Sequence, residues 1–137
     1  MSEGHIELVR RTYAAWNRGD ISGLIELTHP DFQWVEPREI VGASGGRGRP
    51  GFERYLRSFS EVWQEFSWHP ETFRHAGDLL LVVVREVGRG RLSGARVEQR
   101  LAHLWTIRNG RSVRMERYVD QRQALARLSA GERLAAA

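Results

Sequence analysis

The chain contains no cysteine, no lysine and no long apolar run. Without cysteine it can form no disulfide, no thiolate metal site and no cysteine nucleophile. No apolar stretch approaches the roughly 18–20 residues that span a bilayer, since the longest, residues 79–84, has the length of a strand. We expect no secretory signal in residues 1–5, because no basic region there precedes an apolar one. We therefore expect a cytoplasmic protein with no membrane partner.

Because lysine is missing, all 21 basic residues are arginine, and the formal net charge is +4. Nucleic-acid-binding proteins gather such charge along one face. Here the arginines alternate with glutamates such as Glu53, Glu86 and Glu98, and the aromatic residues lie in apolar patterns. The charge therefore indicates an ordinary solvated surface, and we expect no nucleic-acid partner.

The bulk composition predicts one domain over residues 1–137. Apolar residues make up 41% and charged residues 28% of the 137 residues, which suits a single soluble core. The last residues, 132–137, are expected to be a disordered tail.

Helical periodicity dominates the first half of the chain. It predicts a helix over 5–18, a short helix after Asp20 that ends at His29-Pro30, and a third helix from Pro50 whose aromatic face reaches Phe66. A stretch rich in glycine, 42–51, precedes the third helix. It lacks the ending of a phosphate-binding loop. We interpret it as a surface connection, with a lid over a pocket as the alternative.

Strand patterns dominate the second half. Strands are predicted over 32–36, 67–76, 79–87, 96–108 and 111–119, with a closing helix over 121–129. Asn109-Gly110 is typical of a tight hairpin turn. Asp120 fits the cap of the closing helix. The order predicts an α+β fold in which helices pack on one face of an antiparallel sheet.

Glu36 is the clearest candidate for a catalytic residue. It ends a short aromatic strand just before Pro37, and strand alternation places it on the same face as Phe32 and Trp34. A carboxylate against an apolar, aromatic wall is suited to accept a proton from a substrate. The alternative is a solvated strand-end glutamate paired with Arg38.

The chain resembles the nuclear transport factor two-like superfamily, and within it the SnoaL-like and ketosteroid isomerase-like proteins. The residues that carry the resemblance span most of the sequence: Tyr13-Ala14-Ala15-Trp16-Asn17-Arg18-Gly19-Asp20, His29-Pro30-Asp31-Phe32, Trp34-Val35-Glu36-Pro37, Ala102-His103-Leu104-Trp105-Thr106-Ile107-Arg108-Asn109-Gly110 and Tyr118-Val119-Asp120.

The resemblance implies a cone-shaped (cystatin-like) fold, with a curved antiparallel sheet wrapped around three helices and a pocket at the open end. It also implies a homodimer that packs through the outer face of the sheet. Many relatives act on small hydrophobic molecules with no metal or organic cofactor, by isomerisation, cyclisation, dehydration or epoxide hydrolysis. Others only bind a ligand or a partner.

Site residues follow from the resemblance position by position. Glu36 matches the carboxylate base of the isomerases, and His103 lies near their oxyanion-stabilising acid. Arg117 occupies the place of the acid/base of the cyclases, and Thr12 that of an isomerase tyrosine, so the chain departs from both patterns. Arg117 is able to pair with Glu36 or to stabilise an enolate.

The combined prediction is a mostly apolar pocket that holds a small hydrophobic carbonyl compound. Glu36, His103 and Arg117 are the candidate catalytic groups. The expected lining is Tyr13, Trp16, Trp34, Tyr55, Phe59, Trp105 and Met115. The five histidines lack metal-ligand spacing, so no metal or cofactor is expected. The alternative is a non-catalytic ligand-binding or dimeric interaction module of the same fold.

Overall fold

The computed structural model describes residues 2–40 and 44–136 and confirms the α+β class. None of the helices in this part of the chain is long and apolar enough to cross a membrane. The helices are α1 (Ser2–Asn17), α2 (Ile21–Glu26), α3 (Arg49–Val62) and α4 (Gln121–Ala136). The strands are β1 (Thr28–Val35), β2 (Gly46–Arg47), β3 (Trp63–Ala76), β4 (Leu79–Gly90), β5 (Arg96–Arg108) and β6 (Arg111–Tyr118).

The strands form one sheet in the order β2-β1-β6-β5-β4-β3. Of these described strands, β1 and β6 pair in parallel, and the other neighbours are antiparallel. Both faces of β5 are buried over residues 101–107. Trp105 and Ile107 belong to the main core with the residues of α1, α2 and α3, and Ala102 and Leu104 pack against α4 on the other face. We call these the inner and outer faces of the sheet.

Strand β1 begins four residues earlier than the sequence predicts. His29 and Pro30 lie inside it, and α2 already ends at Glu26. The pairing of β1 with β6 is irregular between Thr28 and Gln33, which is where Pro30 falls. A proline has no N–H to donate, so it is tolerated where the ladder is interrupted. The prediction that His29-Pro30 ends the helix is therefore wrong.

Helix α3 is shorter than its aromatic periodicity predicts. It ends at Val62, and Trp63 adopts an extended conformation and starts β3. Phe66 pairs with Gly88 on β4, so the last two aromatic residues of the predicted helix face belong to the sheet. At the other end of the chain, α4 continues to Ala136, so residues 132–136 are helical rather than a disordered tail.

One predicted turn and one predicted helix cap are confirmed. Asn109 and Gly110 both have positive φ, 52° and 75°, which is the conformation of a type I′ hairpin turn. The carboxylate of Asp120 accepts a hydrogen bond of 2.9 Å from the backbone N–H of Arg122, in the first turn of α4. The glycine-rich stretch contains β2 and the start of α3, while its residues 42 and 43 lie outside the described part of the chain.

Strand β3 is an edge strand, since β4 is its only neighbour among the strands that the structure describes. The end of α1 covers part of its free side. The amide group of Asn17 donates to the Trp68 carbonyl at 2.8 Å and accepts from the Trp68 N–H at 2.9 Å. The indole N–H of Trp16 donates to the Phe66 carbonyl at 3.0 Å. Side chains of α1 thus take the place of a neighbouring strand.

Gly88 is needed where aromatic rings approach β4. A Cβ atom at this position would lie 2.8 Å from the Trp63 ring and 2.9 Å from the Phe66 ring. We expect Gly88→Ala to displace these rings and to lower the free energy of unfolding by about 1–3 kcal/mol, the usual cost of overpacking. Urea unfolding, monitored by tryptophan fluorescence, measures this change in the free energy of unfolding. Gly4→Ala, where a Cβ meets nothing within 4 Å, is the control and should not destabilise.

Candidate active site

Three elements bring Glu36 into a buried ion pair. Its side chain is only 2% exposed, although Glu36 directly follows β1. Parallel pairing of β1 with β6 places Arg117 beside it, and Arg117 Nη1 donates to Glu36 Oε2 at 2.5 Å. The hydroxyl of Tyr55 on α3 donates to the other oxygen, Oε1. Glu36 therefore pairs with Arg117 rather than with Arg38, and both of its oxygens accept hydrogen bonds.

Arg117 also joins Glu36 to a second buried carboxylate. Its Nη2 donates to Glu86 Oε1 at 2.6 Å, and Glu86 Oε2 lies 2.8 Å from His103 Nε2. His103 and Arg117 face each other directly across the β5–β6 ladder. His103 Nδ1 lies 2.9 Å from the hydroxyl of Tyr13. The result is a continuous chain of hydrogen bonds from the end of β1 to α1.

The contact between Trp105 and Tyr13, at one end of this chain, determines which group donates in each hydrogen bond. The indole N–H of Trp105 donates to the Tyr13 oxygen at 2.9 Å, so the Tyr13 hydroxyl proton is free to point at His103 Nδ1. His103 Nε2–H then donates to the carboxylate of Glu86. This assigns His103 as the neutral tautomer protonated on Nε2.

The electrostatics agree with a neutral histidine between charged neighbours. Burial lowers the pKa of His103, and the Glu86 carboxylate opposes this only in part. Burial by itself would raise the pKa of Glu86, but the hydrogen bond from His103 and the charge of Arg117 outweigh it and lower that pKa. Burial likewise opposes the charge of Arg117, but the carboxylates of Glu86 and Glu36 raise its pKa. Burial holds the pKa of Tyr55 well above its usual value.

A cavity of about 380 Å³ opens onto this cluster. Glu36, Tyr55 and Arg117 form part of its wall, together with the polar residues Ser44, Ser58 and Gln99. The rest of the wall is apolar and consists of Ile40, Phe59, Val62, Trp63 and Phe66. Such a wall, apolar with a few convergent polar groups, is typical of a site for a small hydrophobic molecule.

Comparison with known proteins places the chain in a family. Residues 9–115 match the model of the SnoaL-like domain. The chain belongs to the SnoaL-like domain family. No curated protein sequence matches it.

Solved structures share the fold of this SnoaL-like domain. An NTF2-like protein from Burkholderia xenovorans is 30% identical, with a TM-score of 0.73 over 92% of this chain and 95% of that one. TerC, co-crystallised with polyporic acid, is 27% identical, with a TM-score of 0.77 over 91% and 97%. An NTF2-like protein of unknown function from Burkholderia pseudomallei is 23% identical, with a TM-score of 0.79 over 91% and 96%. The predicted nuclear transport factor two-like fold is therefore confirmed.

The seven residues predicted to line the pocket separate into three groups. Tyr55 and Phe59 line the cavity beside Glu36. Trp34 packs against Tyr55, with ring centroids 5.3 Å apart, and Trp16 packs against Phe59 at 5.4 Å, so both support the wall from behind. Tyr13, Trp105 and Met115 are each 1% exposed and belong to the core of the SnoaL-like domain. They do not form the cavity wall, because the inner face of the sheet packs tightly around them.

The structure also changes the role expected of His103. His103 is fully buried, and both of its ring nitrogens are engaged, by Glu86 and by Tyr13. It therefore contacts Arg117 only through Glu86 and does not line the cavity. Thr12, at the position of an isomerase tyrosine, donates to the Leu8 carbonyl within its own helix.

Glu86 is the member of the cluster that the sequence analysis missed as a site residue. Strand alternation on β4 puts Leu80, Val82, Val84 and Glu86 on one face, and that face is buried. A carboxylate that continues an apolar alternation is itself the signal, since buried acids are rare unless paired. Within the described residues, no group of three or more histidine or acidic side chains is arranged to hold a metal ion.

Acidification should destabilise this SnoaL-like domain through His103. Because burial lowers its pKa in the folded state, the unfolded chain, with an ordinary pKa near 6.5, takes up the proton first. The free energy of unfolding therefore falls as the pH drops below about 6.5, by at most about 1.4 kcal/mol per pH unit for this group. Urea unfolding at pH 7.5, 6.5 and 5.5 measures the fall. His103→Gln cannot titrate, so an equally steep profile in that variant would contradict the assignment.

Proposed function

We propose that this SnoaL-like domain is a cofactor-free enzyme that moves a proton on a small hydrophobic carbonyl compound. The supporting observation is the convergence of Glu36, Tyr55 and Arg117 on one otherwise apolar cavity. A base, a hydroxyl donor and a fixed cation are the groups that such a reaction needs. They come from three separate elements, which fixes their relative positions.

In the proposed reaction Glu36 removes the proton next to the carbonyl group and becomes a carboxylic acid. The electron pair of the broken C–H bond moves into the carbonyl group and leaves negative charge on its oxygen. Tyr55 donates to Glu36 in the structure. Once Glu36 is protonated it is a poorer acceptor, so the Tyr55 hydroxyl turns to the enolate oxygen. Arg117 adds a positive charge that the two carboxylates hold in place. Return of the proton to another carbon completes an isomerisation.

The positions of Glu86 and His103 support this arrangement. Arg117 has five N–H donors in a planar fork, and Glu86 engages one branch while Glu36 engages the other. His103 holds the second oxygen of Glu86. These buried contacts leave Arg117 one orientation, and a donor that is already oriented stabilises a developing charge more effectively.

A non-catalytic ligand-binding module is the second candidate. It is favoured by the fact that both oxygens of Glu36 already accept hydrogen bonds. TerC, with the same fold and 27% identity, was co-crystallised with polyporic acid. This similarity supports a small organic ligand for this chain. It does not favour catalysis over binding, or binding over catalysis.

Deuterium exchange separates the two candidates without knowledge of the natural substrate. The protein is incubated in D₂O with a panel of apolar ketones of one to three rings, 2-tetralone among them, and proton NMR follows the hydrogens next to the carbonyl. Faster exchange than with heat-unfolded protein supports the enzyme. A ketone that raises the melting temperature but does not exchange faster supports the binding module. Neither effect from any ketone would reject both.

The homodimer remains a proposal, and the structure restricts where it would form. Helix α4 already covers the outer face around Leu81 and Leu104. The uncovered part carries ion pairs such as Arg85–Glu98 at 3.0 Å and Arg100–Glu71 at 2.7 Å. A dimer through this part would be polar and should weaken as salt increases. Sedimentation velocity at low and high salt measures this, and a salt-insensitive dimer would contradict it.

A further inference from the structure

A second, larger cavity lies on the outer face of the sheet and plays no part in the proposed reaction. It has a volume of about 950 Å³. Helix α4 bounds it on one side, and β1 and β2 contribute to its wall. The β3–β4 turn and the β5–β6 hairpin also contribute. Gln33 and Arg114 face it, whereas their neighbours Trp34 and Met115 face the core. We call this cavity the outer cleft.

Arginines from four elements converge on the outer cleft: Arg47, Arg108, Arg111, Arg114 and Arg127. The acidic residues of the wall are Asp31 and Asp78. Five guanidinium groups against two carboxylates leave an excess of positive charge. Like charges repel, so their convergence on one concave surface raises the local positive potential and attracts anions.

Part of this charge is neutralised by neighbouring acids. Arg108 pairs with Asp78 at 3.1 Å, and Arg127 pairs with Glu116 at 3.3 Å. Arg114 donates to the Gln33 side chain at 3.2 Å. Its Nε lies 3.4 Å from Glu116 without the alignment of a hydrogen bond, and this buried N–H has no hydrogen-bond partner in the structure. Arg114 is thus held by Gln33 and paired with Glu116, and its buried Nε–H is not exposed to the cleft.

Arg47 and Arg111 are not neutralised. Among the described residues, neither side chain forms an ion pair or a hydrogen bond. Arg47 lies on β2, opposite Gln33, and Arg111 begins β6 after the hairpin. The two cations come from different elements and both line the same cleft.

The neutral groups of the wall are also hydrogen-bond donors. His29 Nδ1 accepts from the backbone N–H of Asp31 at 3.0 Å, which leaves its Nε2 as a donor. The amide group of Asn109 lies on the wall as well. Guanidinium groups bind phosphate oxygens through two parallel N–H donors, and carboxamide and imidazole donors add to such sites.

We propose that the outer cleft binds a small molecule that carries two or more linked phosphate groups. Arg47 and Arg111 would each engage a phosphate. Several linked phosphates fit better than one, because the unpaired cations lie on separate elements. The cleft is closed on two sides by α4 and by β1 with β2, which favours a compact ligand over a long polymer.

Isothermal titration calorimetry with inorganic pyrophosphate and tripolyphosphate tests this inference on the whole chain. We expect both to bind, tripolyphosphate more tightly, and both to bind more weakly as salt increases. Arg47→Gln/Arg111→Gln should weaken binding by about tenfold or more, since each substitution removes a charged hydrogen-bond donor. The matched control is Arg11→Gln/Arg74→Gln, which removes the same charge from exposed positions outside the cleft and should change affinity little.

Three results would overturn the inference. One is that neither polyphosphate binds the wild-type protein at low salt. The second is an equal loss of affinity in both double variants, which would indicate only a general effect of net charge. The third is that a single-stranded oligonucleotide displaces tripolyphosphate at lower concentration, which would indicate a polymer-binding surface. Melting curves of both double variants control for folding, and the ketone exchange assay should be unaffected by either pair of substitutions.

Discussion

Glu36→Gln should slow deuterium exchange into an apolar ketone by about 10²–10⁴-fold, the usual contribution of a positioned general base. Glutamine has almost the same shape, and its carbonyl oxygen can still accept a hydrogen bond from Arg117 or from Tyr55. It cannot take the proton. Proton NMR of the ketone in D₂O, at equal concentrations of wild-type and variant protein, measures the ratio of rates.

The fold should survive this substitution. With His103 neutral, the buried cluster holds two carboxylates and one guanidinium, so removing the charge of Glu36 leaves a balanced pair of Glu86 and Arg117. Glu39→Gln is the matched control, because Glu39 is exposed and lies three residues from Glu36. Full exchange activity in Glu36→Gln would reject Glu36 as the base, whereas loss in both variants would indicate a nonspecific effect.

Arg117→Met should lower the free energy of unfolding by about 3–5 kcal/mol at pH 7.5, because it leaves the carboxylates of Glu36 and Glu86 buried without a counter-ion. Methionine keeps most of the apolar volume, so lost packing contributes little. Urea unfolding measures the change. At pH 5 the deficit should shrink, since without the charge of Arg117 burial favours the protonated form of Glu86.

Arg85→Met provides the comparison on the outer face. The Arg85–Glu98 pair is about one-third exposed on both sides, 32% and 38%, so its loss should cost no more than about 1 kcal/mol. If Arg117→Met were as mild as Arg85→Met, the buried cluster would contribute nothing to stability. A deficit that stays constant between pH 7.5 and pH 5 would reject unpaired carboxylates as its cause.

Several parts of the fold could be predicted from local sequence because local chemistry decides them. The Asn109-Gly110 turn depends on two residues that tolerate positive φ. The cap at Asp120 depends on a carboxylate beside free backbone N–H groups. The burial of Glu36 could also be predicted from local sequence, because it follows from the alternation of an aromatic strand.

Other features depend on partners that are distant in sequence. Phe59, Val62, Trp63 and Phe66 keep a helical spacing, but pairing with β4 draws Trp63 and Phe66 into the sheet. Tertiary contacts therefore override the helical pattern. Pro30 is accepted in β1 only because the ladder with β6 is interrupted there.

For the same reason, only part of the site could be predicted from the sequence. Arg117 was a candidate partner of Glu36, and the structure places them 2.5 Å apart. The link from Arg117 to Glu86 and His103 requires the register of β4, β5 and β6, which hydrophobic alternation does not fix. Alternation says which face a residue lies on, and register says which residues meet.

The contacts of Trp16 and Asn17 with β3 have a consequence for the protein at high concentration. A 14-residue edge strand with unpaired main-chain groups is a template on which another chain can add a strand and start an aggregate. At Phe66 and Trp68 those groups are already bonded to side chains of the same molecule. The end of α1 therefore protects the edge of β3 around Phe66 and Trp68 from intermolecular strand addition.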